Sequence, residues 1–249
     1  MVEQWLADAM TAYNRESFDK RDSYSSIIQM PGSMLVDLLS WCFQSLPDEI
    51  LVGMDVDPQR KVLPEVAELF TGSESRSGLF AGQGYTIGEA QMVNRGNSMT
   101  VHHLPEEWTD DIFGADRGPR GGRFTHWLHT HPNCPAIPSG ADAQAAQWTE
   151  GVDMILGVEF SPEWSAPWVE GVEGERRMVA GSKRPESEVR GSWFKRKMAA
   201  SQRPVLGKAV TGHSIHGIEL IAFHRTGVGV NVIFVDEDDL PYGWPLTEE

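Results

Sequence analysis

Cysteine is scarce. Cys42 and Cys134 are the two among 249 residues, which excludes a disulfide scaffold and points to a reducing interior. Long apolar runs are missing too: no stretch approaches the roughly 20 consecutive apolar residues of a membrane helix. The opening Met-Val-Glu-Gln-Trp has neither the basic start nor the apolar stretch of a signal peptide. A cytoplasmic location without a membrane partner is the expectation. Positive charge is in the minority, with 21 Lys and Arg against 36 Asp and Glu and a formal net charge of -15. An excess of this size keeps a chain soluble and repels nucleic acid, which is therefore not an expected partner. The basic residues that are present concentrate between Arg176 and Lys208. That stretch reads either as a solvated surface or as a docking patch for an acidic partner.

What the chain does have is a globular composition, 40% hydrophobic and 23% charged. Its length suffices for one large domain or two small ones. Residues 1 to about 20 read as an amphipathic helix, with Trp5, Leu6, Met10 and Tyr13 near one face and Trp5 and Tyr13 set to pack on the main domain. Asp22, Ser23, Ser25 and Ser26 read as a linker, so residues 1–24 form an N-terminal extension. Ile27 and Ile28 predict a short strand. Leu35, Leu38, Leu39, Cys42 and Phe43 recur at helical spacing across Met34 to Ser45, and Pro47 follows as a stop. Glu49 to Val56, Phe124 to His131, Met154 to Phe160, Ile218 to His224 and Val228 to Val235 read as strands, the last two split by Gly227. Ala141 to Glu150 reads as a helix stopped by Gly151. Thr71 to Gly84 and Gly114 to Gly122 read as loops. Alternating strands and helices give an α/β (α+β) class. The main domain spans 25–240, with a basic insertion near 161–212 and a tail at 241–249.

The informative segment is HWLHTHPNCPAIPSGAD, His126 to Asp142. Side chains at i and i+2 of a strand share a face, so His129 and His131 point the same way and offer two zinc ligands. Pro132 ends the strand. A carboxylate in the first turn of the following helix can face back toward the strand end, which makes Asp142 a candidate third ligand. Three protein ligands leave one tetrahedral position for water, the pattern of catalytic rather than structural zinc. A plainer reading stands beside it. Ser139 and Asp142 also fit the S-x-x-D capping box that begins many helices. His126 lies an odd number of residues from His129 and belongs to the other face. His102 and His103 have no ligand-like partners nearby, and His213 and His216 read as ordinary polar residues. Cys134, as a nucleophile, would need an activating base, and the adjacent histidines are better used by a metal.

His129-Thr130-His131-Pro132, Ser139 and Asp142 together have the form H-x-H-P-x6-S-x2-D. This resembles the signature of the JAMM metalloproteases, the catalytically competent MPN domains, here like an archaeal or bacterial member. The resemblance implies a single domain on a central mixed, curved β-sheet flanked by helices. It implies one catalytic zinc on His129, His131 and Asp142, with Ser139 stabilising an oxyanion. It further implies a general base, a glutamate that begins a strand after a helix, and Glu49 in Pro47-Asp48-Glu49-Ile50-Leu51-Val52-Gly53 fits. Many members carry glycine three residues after that glutamate, whereas here it comes one later, at Gly53. Asp48, Glu65 and Glu68 remain alternative bases. The implied activity is hydrolysis of the amide at the C-terminus of a ubiquitin-like modifier, so the implied partner is that modifier or its protein conjugates, with a homodimer also open. Alternatives are a related hydrolase acting on a sulfur-carrier protein or a small peptide, and a non-catalytic MPN scaffold.

Overall fold

The apolar runs that read as strands pair into one sheet. A computed structural model describes residues 2–46, 48–72, 84–96, 124–161, 168–170, 176–178, 204–209 and 212–246. Its eight-stranded sheet has the order β10-β1-β3-β2-β4-β5-β9-β8. The strands are β1 (Ile27–Pro31), β2 (Ile50–Lys61), β3 (Tyr85–Arg95), β4 (His126–Pro132), β5 (Val152–Ser161), β8 (Gly207–Lys208), β9 (Ser214–His224) and β10 (Asn231–Val235). A separate pair is formed by β6 (Trp168–Glu170) and β7 (Arg176–Met178). The sheet is mixed. β4 runs antiparallel to β2 and parallel to β5, and β1 runs parallel to both β10 and β3. It also curls: the turn after β9 lets Val230 donate to the Ala222 carbonyl at 2.9 Å, so β9, next to the β8 edge, bends back toward β10 at the other end of the sheet. The class is thus the mixed α/β (α+β) architecture expected from the alternating pattern.

Among the described residues four helices flank the sheet: α1 (Gln4–Asp19), α2 (Gly32–Ser45), α3 (Pro64–Leu69) and α4 (Gly140–Ala146). Leu35, Leu38, Leu39, Cys42 and Phe43 of α2 enter one core with Val52, Met54, Leu128, Met154 and Leu156. The helical spacing expected for Met34 to Ser45 is that buried face. Leu6 and Met10 of α1 join the same core, and Gly207 leaves room for the Trp5 ring, which sits 2.8 Å from where a Cβ would stand. Tyr13 donates its hydroxyl proton to the Leu220 carbonyl at 2.9 Å. Asn14 finishes the open edge of β10. Its side-chain oxygen accepts from Phe234 N–H at 2.9 Å and its amide donates to the Phe234 carbonyl at 2.8 Å. A buried edge strand needs such partners for its orphan backbone groups.

Several boundaries differ from expectation for local reasons. The expected linker contains a short 3-10 turn at Arg21–Ser23. The helix expected over Ala141 to Glu150 ends at Ala146, because Gln147, Trp148 and Thr149 donate three residues back, to Gln144, Ala145 and Ala146, and tighten the chain into turns. β2 extends to Lys61, with bulges that re-register it against β3. The loop Gly114 to Gly122, His102, His103, most of Thr71 to Gly84 and most of the basic stretch from Arg176 to Lys208 lie outside the described residues. Among the described residues, no helix is long and apolar enough to cross a membrane.

Candidate metal centre

β4 divides the segment His126 to His131 between two faces, as strand alternation requires. Leu128 enters the main core and His126, Leu128 and Thr130 are fully buried. Gly151 makes room for the His126 ring, which would stand 2.7 Å from a Cβ there. His129 and His131 take the other face, with Leu51 directly across from His129 in β2. His129 is buried and His131 half-buried. Their Nε2 atoms lie 3.0 Å apart.

Asp142 comes to both. Its Oδ1 is 3.3 Å from His129 Nε2 and its Oδ2 is 3.7 Å from His131 Nε2. A tetrahedral ion with ligands at about 2.0–2.1 Å separates its donors by roughly 3.3 Å. Contacts of 3.0, 3.3 and 3.7 Å lie around that value, the last two through different carboxylate oxygens, so the three side chains are near enough to share one ion. Among the described residues it is the one group of three or more His, Cys, Asp or Glu whose donor atoms lie within 4.8 Å of one another. His129, His131 and Asp142 can therefore hold a metal ion.

The capping-box reading and the ligand reading of Asp142 hold together. Ser139 Oγ accepts from Asp142 N–H at 3.2 Å, and Asp142 Oδ2 accepts from Ser139 N–H at 2.6 Å. The cap fixes the rotamer that brings Oδ1 to His129. Burial opposes ionisation of Asp142, but the two imidazoles beside it outweigh burial and hold the carboxyl far below its ordinary range. The Asp142 carboxylate in turn raises the His131 imidazole above its ordinary value, against the effect of burial. A cation at this position would meet a carboxylate that is already ionised.

The loop after β4 sets the tautomer. His131 Nδ1 lies 2.9 Å from the Pro135 carbonyl oxygen. A carbonyl only accepts, so Nδ1 carries the proton and donates it, and in the neutral ring Nε2 keeps the lone pair a metal needs. Asn133, at φ 54°, turns the chain, and its N–H donates to the Val158 carbonyl at 2.8 Å. Gly157 of β5 then lets the loop lie on the sheet, since a Cβ there would be 3.1 Å from both Ala136 N and the Cys134 carbonyl oxygen. The sequence alone foretells neither the contact of the Pro135 carbonyl with His131 nor the part played by Gly157. The available signal was a glycine inside a strongly apolar strand, which marks a close backbone approach.

Glu49 precedes β2. The ladder pairs Leu51 with His129, and continuing it by two residues sets Glu49 across from His131. Glu49 is half-buried. Burial raises its carboxyl to about 7, with the His131 imidazole pulling it down and the Asp142 carboxylate pushing it up. Both ligands are thus close enough to act on it. The alternatives fare differently. The Asp48 carboxylate faces Arg95 Nε at 3.6 Å. Glu65 and Glu68 are on α3, which follows the far end of β2, twelve residues of strand away from Glu49. Gly53, the glycine found one place late, is required by packing, for a Cβ there would fall 2.1 Å from the Phe124 ring. Ser139 is exposed, and Cys134 is exposed outside the trio.

No family model and no curated protein matches this chain. A solution structure of a protein from Salinibacter ruber (strain DSM 13855) is 16% identical, over 66% of this chain and 95% of that one. Its TM-score of 0.27 is too low to carry an argument.

Proposed function

We propose that this protein is a zinc-dependent metallopeptidase of the JAMM type, an isopeptidase that hydrolyses the amide at the C-terminus of a ubiquitin-like modifier. The observation that carries this reading is the convergence of His129, His131 and Asp142 with a carboxyl of raised pKa, Glu49, beside them. Two imidazoles and one carboxylate are a donor set that suits zinc and leaves one of four positions to water or substrate. Bound there, zinc supplies Lewis acidity that makes water acidic and polarises the scissile carbonyl. Glu49 takes the proton of the attacking water and hands it to the departing amine. Burial raises the proton affinity of this carboxyl in the metal-free site, which suits a group that must accept a proton. Ser139 Oγ spends a lone pair on Asp142 N–H, which leaves its own proton to donate to the developing oxyanion. Asp142, ionised and capped, holds the third ligand position through the cycle.

The choice of substrate follows the motif H-x-H-P-x6-S-x2-D and its resemblance to the JAMM enzymes. Mass spectrometry of modifier conjugates, incubated with zinc-loaded protein and with Glu49→Gln, tests it. The expected result is modifier with a free C-terminus from the first incubation alone. Cleavage confined to sulfur-carrier proteins or small acyl-amino acids would redirect the substrate and keep the chemistry. Absence of any amide hydrolysis by zinc-loaded protein would favour the scaffold reading.

A further inference from the structure

We propose that Thr130, the residue between the two histidine ligands, is a positioning residue that fixes Glu49 against the metal site. The inference rests on Glu49 acting as proposed above. Glu49 lies outside the backbone ladder between β2 and β4, whose last pair toward the site is Leu51 with His129. Something else must hold it. The peptide that joins Glu49 to Ile50 is gripped from both sides. On the β3 side the Glu49 carbonyl accepts from Gly96 N–H at 2.9 Å. On the β4 side the Ile50 N–H donates to Thr130 Oγ1 at 3.0 Å. The hydroxyl stands where a ladder carbonyl would, one step beyond the regular pairing. Ile50 and Thr130 are both fully buried, so no solvent can replace this acceptor.

Strand alternation explains why this position is available. His129 and His131 face the site, so Thr130 between them faces away, toward α2. There it meets the buried Cys42 thiol. Burial pushes that thiol up to about 12, a shift that its hydrogen bond with Thr130 only reduces. A bond that lowers a thiol's pKa is one the hydroxyl donates, so the Thr130 proton goes to the sulfur and an oxygen lone pair accepts from the Ile50 N–H. One side chain thereby ties the start of β2 to the strand that bears both ligands, and the base keeps its distance from the ion by a route that touches neither.

The test is Thr130→Val, which keeps the branched shape and removes the acceptor, set beside Thr130→Ser, which keeps it. In the metal-free protein, amide hydrogen exchange should accelerate at Ile50 in Thr130→Val and stay slow in Thr130→Ser. In the zinc-loaded protein, Thr130→Val should lose up to roughly 10²-fold in kcat, the scale of a ~1 Å misplacement of a reacting group. KM and zinc content should stay near wild type, and Thr130→Ser should restore kcat. Adding Thr130→Val to Glu49→Gln should cost nothing more, since the positioned group is already inert. Unchanged exchange at Ile50 would overturn the proposal. So would faster exchange with unchanged kcat while Glu49→Gln is inactive, because Thr130 would then be structural. A fully active Glu49→Gln enzyme would instead remove the underlying reading of Glu49, and this inference with it. If Thr130→Val does not fold, Thr130→Ser decides: slow exchange and near wild-type turnover support the hydroxyl, and loss of either refutes it.

Discussion

His129 and His131 lie two residues apart on β4, whereas His213 and His216 lie three apart around the start of β9. A spacing of two puts both imidazoles on one face of a strand, and a spacing of three does not. His213 is fully buried with its ring 4.8 Å from that of Phe160, and burial pushes its pKa down to about 4, so it stays neutral. His216 Nε2 meets Ser161 Oγ at 2.6 Å and its Nδ1 faces the Pro204 carbonyl at 3.3 Å. Neither belongs to a group of three candidate ligands among the described residues. Two histidines are therefore cheap to find and insufficient. What the first pair adds is a carboxylate seated by a helix cap, the half-buried Glu49 just ahead of the neighbouring strand β2, and a carbonyl that fixes the tautomer. Each addition can be removed in turn.

Removal of the base should have the largest effect on turnover. Glu49→Gln should retain zinc and lose about 10²–10⁴-fold in kcat, the usual contribution of a general acid–base group, with KM little changed. Its pH signature is distinct. The folded-state carboxyl titrates near 7, above its ordinary 4.5. A raised acid favours the fold below the unfolded value and loses that contribution as pH rises through the folded one. In metal-free protein, Glu49→Gln should therefore gain in Tm relative to wild type as pH rises from about 4.5 to about 7. A difference that does not vary with pH in calorimetry would show that Glu49 is not buried as described.

Ser139 tests whether the cap also acts on substrate. Ser139→Ala should cost about 0.5–2 kcal/mol of stability through the lost N-cap, measured by denaturant unfolding. If its proton reaches the oxyanion, kcat should fall by a further ~10²–10³-fold at full zinc occupancy. A stability loss with unchanged kcat would leave Ser139 as a cap alone. The smallest effect belongs to the tautomer. Gly157→Ala should press on Cys134 and Ala136, disturb the Pro135 carbonyl and weaken zinc binding by about 10–100-fold, the usual scale for a group that orients a ligand. Gly140→Ala meets nothing within 4 Å and should bind zinc as wild type does in a competitive chelator titration.

The parts of this arrangement that repeat locally could be read from the sequence. Leu35, Leu38, Leu39 and Cys42 announce a buried helix face, and the i, i+2 histidines announce a shared strand face. Ser139 and Asp142 announce a cap, and the structure adds that the same carboxylate lies beside both imidazoles. β3 was missed because its sequence, YTIGEAQMVNR, mixes polar residues and Gly88 into a strand with exposed positions along its length. α3 was missed because six residues give too short a periodic signal. Thr130, Pro135 and Gly157 escaped for another reason: their roles depend on which strands become neighbours. No spacing in the chain shows that Ile50 will need an acceptor from a residue 80 positions later.

One histidine pair can hold a metal ion, and the other lacks a third ligand among the described residues. Metal analysis after zinc loading and dialysis, joined to X-ray absorption at the zinc edge, tests it most directly. Wild type and His213→Ala/His216→Ala should each hold about one zinc with only nitrogen and oxygen donors, near 2.0–2.1 Å. Asp142→Ala should lose most of it, and His129→Ala/His131→Ala all of it. Full zinc in the His129→Ala/His131→Ala protein, or its loss from His213→Ala/His216→Ala, would contradict the account.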